Sequence, residues 1–152
     1  MLNKSILVIS GPNLNLLGDR EEKYYGQNSL DSIHEKIKKI GNLNEFGIEC
    51  KQSNSESEII DWIQSAKNNF QAIIINAGGY THTSVSIRDA LKFFNGLIIE
   101  IHMSNTYARE DFRHKSMISG ISSGIIIGFG AQSYYLAVNA VIDKISGEKN
   151  YG

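Results

Sequence analysis

The sequence has very little cysteine and proline, and its charges nearly cancel. Among its 152 residues, Cys50 is the only cysteine and Pro12 is the only proline. One cysteine cannot form a disulfide within the chain, and it cannot build a cysteine-based metal site. The formal net charge is −1, from 15 basic and 16 acidic side chains. No overall field therefore draws the protein to nucleic acid or to an anionic membrane.

Long apolar runs are also missing. No stretch approaches the roughly 20 apolar residues that a membrane span needs. The first apolar run is too short for a signal peptide and is followed by no cleavage pattern, so we expect a cytoplasmic protein. No repeat or linker divides the chain, which predicts one domain over residues 1–152 with a C-terminal tail at about 147–152.

The chain does contain short apolar runs that alternate with amphipathic stretches. The predicted strands are Ser5–Ser10, Gly47–Gln52, Gln71–Asn76, Leu97–His102 and Gly124–Phe129. Two predicted helices begin after the caps Ser29 and Ser55. Two more are predicted over Val85–Phe94 and Ala131–Ile145. One helical turn is expected in the connection Met103–Ser116. This order predicts an α/β fold, a flavodoxin-like, doubly wound sheet of five parallel strands.

Polar residues follow the predicted strands at the positions where such sheets bind ligands. Ligands bind outside the carboxyl ends of the strands, at the point where the strand order reverses. We therefore expect one rim to carry the following residues: Asn13, Asn76, Gly78, Gly79, His82, His102, Ser104, Arg109 and Arg113.

Two segments at this rim suit acid–base chemistry and anion binding. In Asn76–Ser84, adjacent glycines permit close backbone approach, and the next helix offers free N–H groups. Glu100 and His102 point to the same face of a strand by period two. A carboxylate beside an imidazole orients the ring and favours its protonated form, as a general acid requires. A tight turn with a solvent-facing His82, and a purely structural Glu100–His102 pair, are the competing interpretations.

Two further segments complete the candidate site. The stretch Ala108–His114 carries two arginines suited to carboxylates and hydroxyls, although a solvated helical turn has the same pattern. A long polar segment predicts a mobile lid over about residues 14–28. Within it, a tyrosine needs about 4 kcal/mol of stabilisation from its neighbours to act as a base at pH 7. Arg20 is a source of that stabilisation.

Taken together, these segments resemble the type II 3-dehydroquinate dehydratases. The matching motifs run in order along nearly the whole chain: G-P-N-L-N-L-L-G at 11–18, R-E at 20–21, Y-G at 25–26, S-N-S-E at 53–56, N-A-G-G-Y-T-H-T-S-V at 76–85, R-D-A at 88–90, E-I-H-M-S-N at 100–105, A-R-E-D-F-R at 108–113 and G-F-G at 128–130. The resemblance implies a hydro-lyase that converts 3-dehydroquinate to 3-dehydroshikimate through an enolate. It implies no cofactor and no metal, and a place in the shikimate pathway or in quinate catabolism.

The resemblance also implies catalytic roles. Tyr25 would remove the C2 proton, and Arg20 would hold that tyrosine as a phenolate. Asn13 would stabilise the enolate through an ordered water. His102 would protonate the departing C1 hydroxyl, with Glu100 orienting its ring.

The substrate-binding residues follow from the same resemblance. The side-chain amide of Asn76 and the backbone N–H groups of Met103 and Ser104 would hold the substrate carboxylate. His82 and Arg113 would bind the ring hydroxyls. The full set is Asn76, Gly78, Gly79, His82, Asp89, Met103, Ser104 and Arg113. Asp89 would act in a neighbouring subunit's site, because family members assemble as homododecamers, tetramers of trimers.

The sequence departs from the family pattern at two positions. Tyr107 stands where histidine is common, and Leu97 stands where proline often opens the fourth strand, but neither position carries a named role. Tyr24 beside Tyr25 leaves the identity of the base ambiguous by one residue, and the Y-G pair favours Tyr25. The alternatives are a flavodoxin-like phosphate- or nucleotide-binding module without catalysis, and a non-catalytic assembly protein that kept the fold.

Overall fold

The fold is built around one parallel sheet, seen in a computed structural model that describes residues 4–19 and 28–147. Within these residues the strands are β1 (Ser5–Ser10), β2 (Gly47–Gln52), β3 (Ala72–Asn76), β4 (Leu97–His102) and β5 (Gly124–Ile127). They pair in parallel in the order β2-β1-β3-β4-β5. The predicted five-stranded, doubly wound sheet is therefore confirmed, with its switch point between β1 and β3.

The three helices that connect these strands begin at side-chain caps. They are α1 (Leu30–Leu43), α2 (Glu56–Ala66) and α3 (Val85–Lys92). A fourth helix, α4 (Gln132–Ser146), follows β5 and begins without a side-chain cap. The predicted caps are present, since Ser29 Oγ accepts from the Ser32 N–H and Ser55 Oγ accepts from the Glu58 N–H. Each such bond satisfies a backbone donor that the first helical turn would otherwise leave unpaired.

Helices cover both faces of the sheet, as the continuous apolar strands require. Ile6 and Val8 of β1 point to the side of α1 and α4, and Leu7 and Ile9 point to the side of α2 and α3. All four side chains are at most 1% exposed. No helix within residues 4–19 and 28–147 has the length and apolar character needed to cross a membrane.

The structure differs from the sequence-based expectation mainly in its connections. Strand β5 ends at Ile127 instead of Phe129, because Gly128 takes a φ of 97°, which lies outside the extended conformation of a strand. The stretch Met103–Ser116 after β4 contains two 3₁₀ turns, Thr106–Ala108 and Asp111–Arg113, in place of one helical turn, and a third, Ser119–Ile121, precedes β5.

The first part of the predicted lid is a packed turn. Leu14–Leu16 form a 3₁₀ turn, and Leu14 and Leu17 are buried in the core. These two leucine side chains pack in the same core cluster as α1 and so hold the start of the predicted lid against the body of the protein. Residues 20–27 and the end of the tail lie outside the described residues, so the mobility of the lid stays a prediction.

Candidate active site

A cleft opens at the carboxyl ends of β1, β3 and β4. Its volume is about 120 Å³, small beside the roughly 300–1,000 Å³ of sites for drug-sized ligands. Its lining consists of Pro12, Asn13, Leu14, Asn76, Gly78, Gly79, His82, His102, Met103, Ser104, Thr106, Arg109 and Arg113. The structure therefore gathers most of the site residues named from the sequence at one place.

Of the four other named residues, two are placed differently and two lie outside the described residues. Glu100 lies behind His102 and does not line the cleft. Asp89 lies on α3, where its exposed carboxylate pairs with Arg88 at 3.3 Å, away from the cleft of its own chain. Arg20 and Tyr25 lie outside the described residues, as does Tyr24.

Glu100 and His102 form the buried pair that the strand period predicts. Glu100 is 1% exposed and His102 is 7% exposed, and His102 Nε2 lies 2.5 Å from Glu100 Oε2. Burial opposes ionisation of the carboxyl, but hydrogen bonds from His102, Ser119 and Ser116 outweigh it and lower the pKa of Glu100 below its usual value. Glu100 is therefore a carboxylate at neutral pH.

The pair decides which nitrogen of His102 serves a ligand. A carboxylate only accepts hydrogen bonds, so Nε2 carries the hydrogen that faces Glu100. Nδ1 is then the nitrogen available for proton exchange at the cleft that the ring lines. The backbone is held as well, because the His102 carbonyl accepts from Ser133 Oγ at 3.1 Å and from the Gly128 N–H at 3.0 Å.

His82 lies beside His102 in the lining of the cleft. The two ring centroids are 6.3 Å apart, with an angle of 21° between the planes. Nδ1 of His82 lies 2.8 Å from the Lys115 carbonyl, which only accepts, so Nδ1 donates and Nε2 is an acceptor. Burial is the main cause that lowers the pKa of His82, and the nearby His102 and Arg113 add to it, against the opposing Lys115 bond. His82 is thus a neutral ring that can accept a hydrogen bond from a hydroxyl.

Asn76 is held at both ends of its amide. Its Nδ2 donates to the Tyr134 hydroxyl at 3.2 Å, and its Oδ1 accepts from the Gly78 N–H at 3.3 Å. The Tyr134 hydroxyl also lies 2.9 Å from Ser10 Oγ. Burial raises the pKa of Tyr134 to about 12, so its hydroxyl stays neutral. The second N–H of the Asn76 amide is left to serve an anion.

Neither Tyr134 nor Ser10 was a candidate from the sequence. The available signal was a tyrosine on the apolar face of α4, where a buried hydroxyl needs a partner. Nothing in the sequence pattern pointed to Asn76 as that partner, since 58 positions separate the two residues.

Asn13 occupies a left-handed turn at the end of β1. Its φ is 69°, an uncommon value for a residue other than glycine, and such backbone strain concentrates at functional sites. The Asn13 N–H donates to Asn54 Oδ1 at 3.0 Å, and the Asn54 carbonyl accepts from the Tyr80 hydroxyl at 2.8 Å. Gly78, with a φ of +59°, packs closely here, since a Cβ on it would lie 3.0 Å from the Pro12 carbonyl oxygen. The turns after β1 and β3 therefore brace each other.

Two arginines bring positive charge to the lining of the cleft. Arg109 Nη1 donates to Ser104 Oγ at 3.3 Å, and Arg113 Nε pairs with Glu110. Both guanidinium groups suit a carboxylate or neighbouring hydroxyls. Within residues 4–19 and 28–147, no group of three His, Cys, Asp or Glu side chains is placed to hold a metal ion.

Comparisons with known proteins agree with this architecture. Residues 4–142 match the family model described as dehydroquinase class II. A 3-dehydroquinate dehydratase of Prochlorococcus marinus is 48% identical over 144 residues, which cover 95% of this chain and 97% of the relative. A 3-dehydroquinate dehydratase of a Nitratiruptor species is 50% identical over 136 residues, which cover 90% of this chain and 87% of that one.

A solved structure gives the same result in three dimensions. The type II dehydroquinase of Propionibacterium acnes superposes with a TM-score of 0.88 at 35% sequence identity, covering 93% of this chain and 97% of that one. The match extends over the strands, the connections and the cleft segments alike, because it spans nearly the whole of both chains. The chain belongs to the type II dehydroquinase family.

Proposed function

We propose that this protein dehydrates 3-dehydroquinate to 3-dehydroshikimate, with His102 as the general acid. The family and the names of its relatives support this lyase reaction of the shikimate pathway. The observation that carries the assignment of the acid is the buried Glu100–His102 pair at the wall of a polar cleft. The pair fixes the orientation of the His102 imidazole and leaves Nδ1 available for the reaction.

The chemistry needs a base and an acid. A base removes the C2 proton, which is acidic because the adjacent ketone accepts the electron pair as an enolate. When the carbonyl re-forms, the C1–C2 double bond forms and the C1–O bond breaks. Hydroxide is a poor leaving group, so His102 gives it a proton and water departs. Each proton is accounted for without an oxidant or a reductant.

The base lies outside the described residues. We propose Tyr25 for this role, with Arg20 holding its phenolate form. The amide of Asn13 would stabilise the enolate through a water. The strained turn that holds Asn13 at the cleft supports this role, because a fixed dipole stabilises charge without reorganising.

The substrate fits the cleft through one anionic group and several hydroxyls. The free N–H of the Asn76 amide and the backbone N–H groups of Met103 and Ser104 would bind the carboxylate. Nε2 of His82 would accept a hydrogen bond from a ring hydroxyl, with Arg113 beside it. Gly78 and Gly79 allow the substrate to approach the backbone.

Assembly is part of the same proposal. Asp89 does not line the cleft of its own chain and its carboxylate is exposed, which fits a residue that completes a neighbour's site. We propose a homododecamer of four trimers, located in the cytoplasm, whose reaction needs no cofactor.

The decisive experiment follows enone formation in the ultraviolet with 3-dehydroquinate as substrate. We expect turnover without added metal, unaffected by chelator and by borohydride. Tyr25→Phe should lose about 10²–10⁴ in kcat, the range for general acid–base groups, and the adjacent Tyr24→Phe serves as the matched control with little loss. Folded wild-type protein without turnover would refute the function. A dead Tyr24→Phe with an active Tyr25→Phe would move the base by one residue.

A further inference from the structure

The carboxylate of Glu100 receives hydrogen bonds from a segment that lies outside the cleft. Ser116 Oγ donates to Oε2 at 3.0 Å, and Ser119 Oγ donates to Oε1. Neither serine lines the cleft. We propose that Ser119, together with Ser116, is a positioning residue for the acid, which holds Glu100 as a carboxylate aimed at His102. This inference rests on the proposed function.

The direction of the Ser116 bond is fixed by its other partners. Ser116 Oγ accepts from the backbone N–H groups of Ile118 and Ser119, both at 3.1 Å. A hydroxyl has two acceptor sites and one hydrogen. Because the two N–H groups occupy both acceptor sites, only the hydrogen can face Glu100. The turn that starts at Ser116 is thus built to present a donor to the carboxylate.

These donors decide where the proton of the pair resides. In a hydrogen bond between a carboxylate and an imidazolium, the proton can lie on either partner. If it moves to Glu100, the ring becomes neutral and its Nδ1–H becomes a much weaker acid. Hydrogen bonds to a carboxylate favour its charged form, and two of the three on Glu100 come from these serines. They therefore favour the proton on Nε2 of His102 over Glu100, and Nδ1 stays the nitrogen that exchanges a proton with a ligand in the cleft.

Other titratable and charged groups surround the pair, and a serine substitution leaves them in place. His82 stacks near His102, and Arg109 and Arg113 line the same cleft. Tyr134 approaches from α4 and bonds to Asn76. A change in pH dependence after substitution at Ser119 is therefore assigned to the carboxylate that Ser119 contacts.

The primary test is the kcat–pH profile of Ser119→Ala. We expect kcat to fall about tenfold, since a hydrogen bond to a buried charge is lost, while KM stays within about twofold of wild type. The alkaline limb should move to higher pH, by on the order of one unit. The sign follows because a carboxylate with fewer donors favours the protonated form of the Glu100–His102 pair, so the pair loses a proton at higher pH.

A matched control lies in the same turn. Ser122 Oγ donates to the Ile118 carbonyl at 2.8 Å, so Ser122→Ala removes a hydroxyl of the same turn without touching Glu100. It should leave kcat and the alkaline limb unchanged. Ser119→Thr keeps the hydroxyl and should retain most of the activity. If Ser119→Ala does not fold, Ser119→Cys, a weak donor of similar size, should show the same displaced limb.

A double-mutant cycle isolates the path through Glu100. In a Glu100→Gln background, Ser119→Ala should cost less than about twofold, because coupled residues do not contribute additively. An equal loss in both backgrounds, or an unmoved alkaline limb in an active Ser119→Ala enzyme, would overturn the positioning role. Wild-type protein without turnover would instead overturn the proposed function, so the two failures are distinct.

Discussion

The two ends of the sheet carry cavities that differ in size and in chemistry. At the carboxyl ends of the strands the cleft measures about 120 Å³. At the amino ends a larger cavity of about 560 Å³ is lined by Lys67, Phe70, Gln71, Asn95, Gly96, Leu97, Lys144 and Ile145. The candidate active site is the smaller of the two. Volume therefore does not identify the functional end of this fold.

What separates the ends is how their polar groups are held. At the carboxyl end, Glu100, His102 and Asn76 are buried and bonded to named partners. Burying such groups is costly unless their bonds are complete, and completed bonds fix them in advance of the reaction. At the amino end, the two charged groups are the exposed lysines Lys67 and Lys144, which water solvates. Only the first arrangement suits catalysis.

Removing the acid is the strongest way to test this contrast. His102→Ala should lower kcat by about 10³, within the range for a general acid, because hydroxide would have to leave without a proton. KM should change much less, since other groups hold the carboxylate. Steady-state kinetics on the folded oligomer measures both values. More than a tenth of wild-type kcat would place the acid elsewhere.

The sequence predicts most of the carboxyl end, but not its supporting groups. The hydrophobic pattern predicts the strands and therefore the rim, and the two-residue period of a strand predicts that Glu100 lies beside His102. Both predictions depend only on residues that are neighbours in the sequence. Ser119 and Tyr134 come from segments that only the folded chain brings to the site. Their contacts with Glu100 and Asn76 depend on how a turn and α4 pack against β4 and β3. No local pattern contains that information.

A smaller effect is expected from the support of Asn76. Tyr134→Phe removes the hydroxyl that accepts from Asn76 Nδ2 and contacts Ser10. We expect a loss of about 1–3 kcal/mol in the free energy of unfolding, because buried polar groups lose a partner. KM should rise several-fold as the amide loses its fixed orientation, with kcat less affected. Denaturant titration and steady-state kinetics measure these quantities.

The neighbouring tyrosine provides the control for that substitution. Tyr135 is partly exposed, and its ring lies under the Lys36 ammonium at 4.2 Å. Tyr135→Phe keeps the ring and should change neither stability nor KM appreciably. Equal effects from the two variants would show that the Tyr134 hydroxyl has no special relation to Asn76.

The smallest effect is expected at the amino end of the sheet. Lys67→Ala and Lys144→Ala should leave kcat/KM within about twofold of wild type and stability within about 0.5 kcal/mol, as for most surface substitutions. The central strands β3 and β4 are five and six residues long, so about 17–20 Å of sheet separates the two ends. That distance is about twice the Debye length at physiological salt, so exposed charges at one end are screened from the other. A tenfold loss of kcat/KM in either variant would break the contrast, because it would require coupling through the sheet or through assembly. Measuring the oligomeric state of that variant would separate these two routes, since a fault in assembly changes the size of the particle and coupling through the sheet does not.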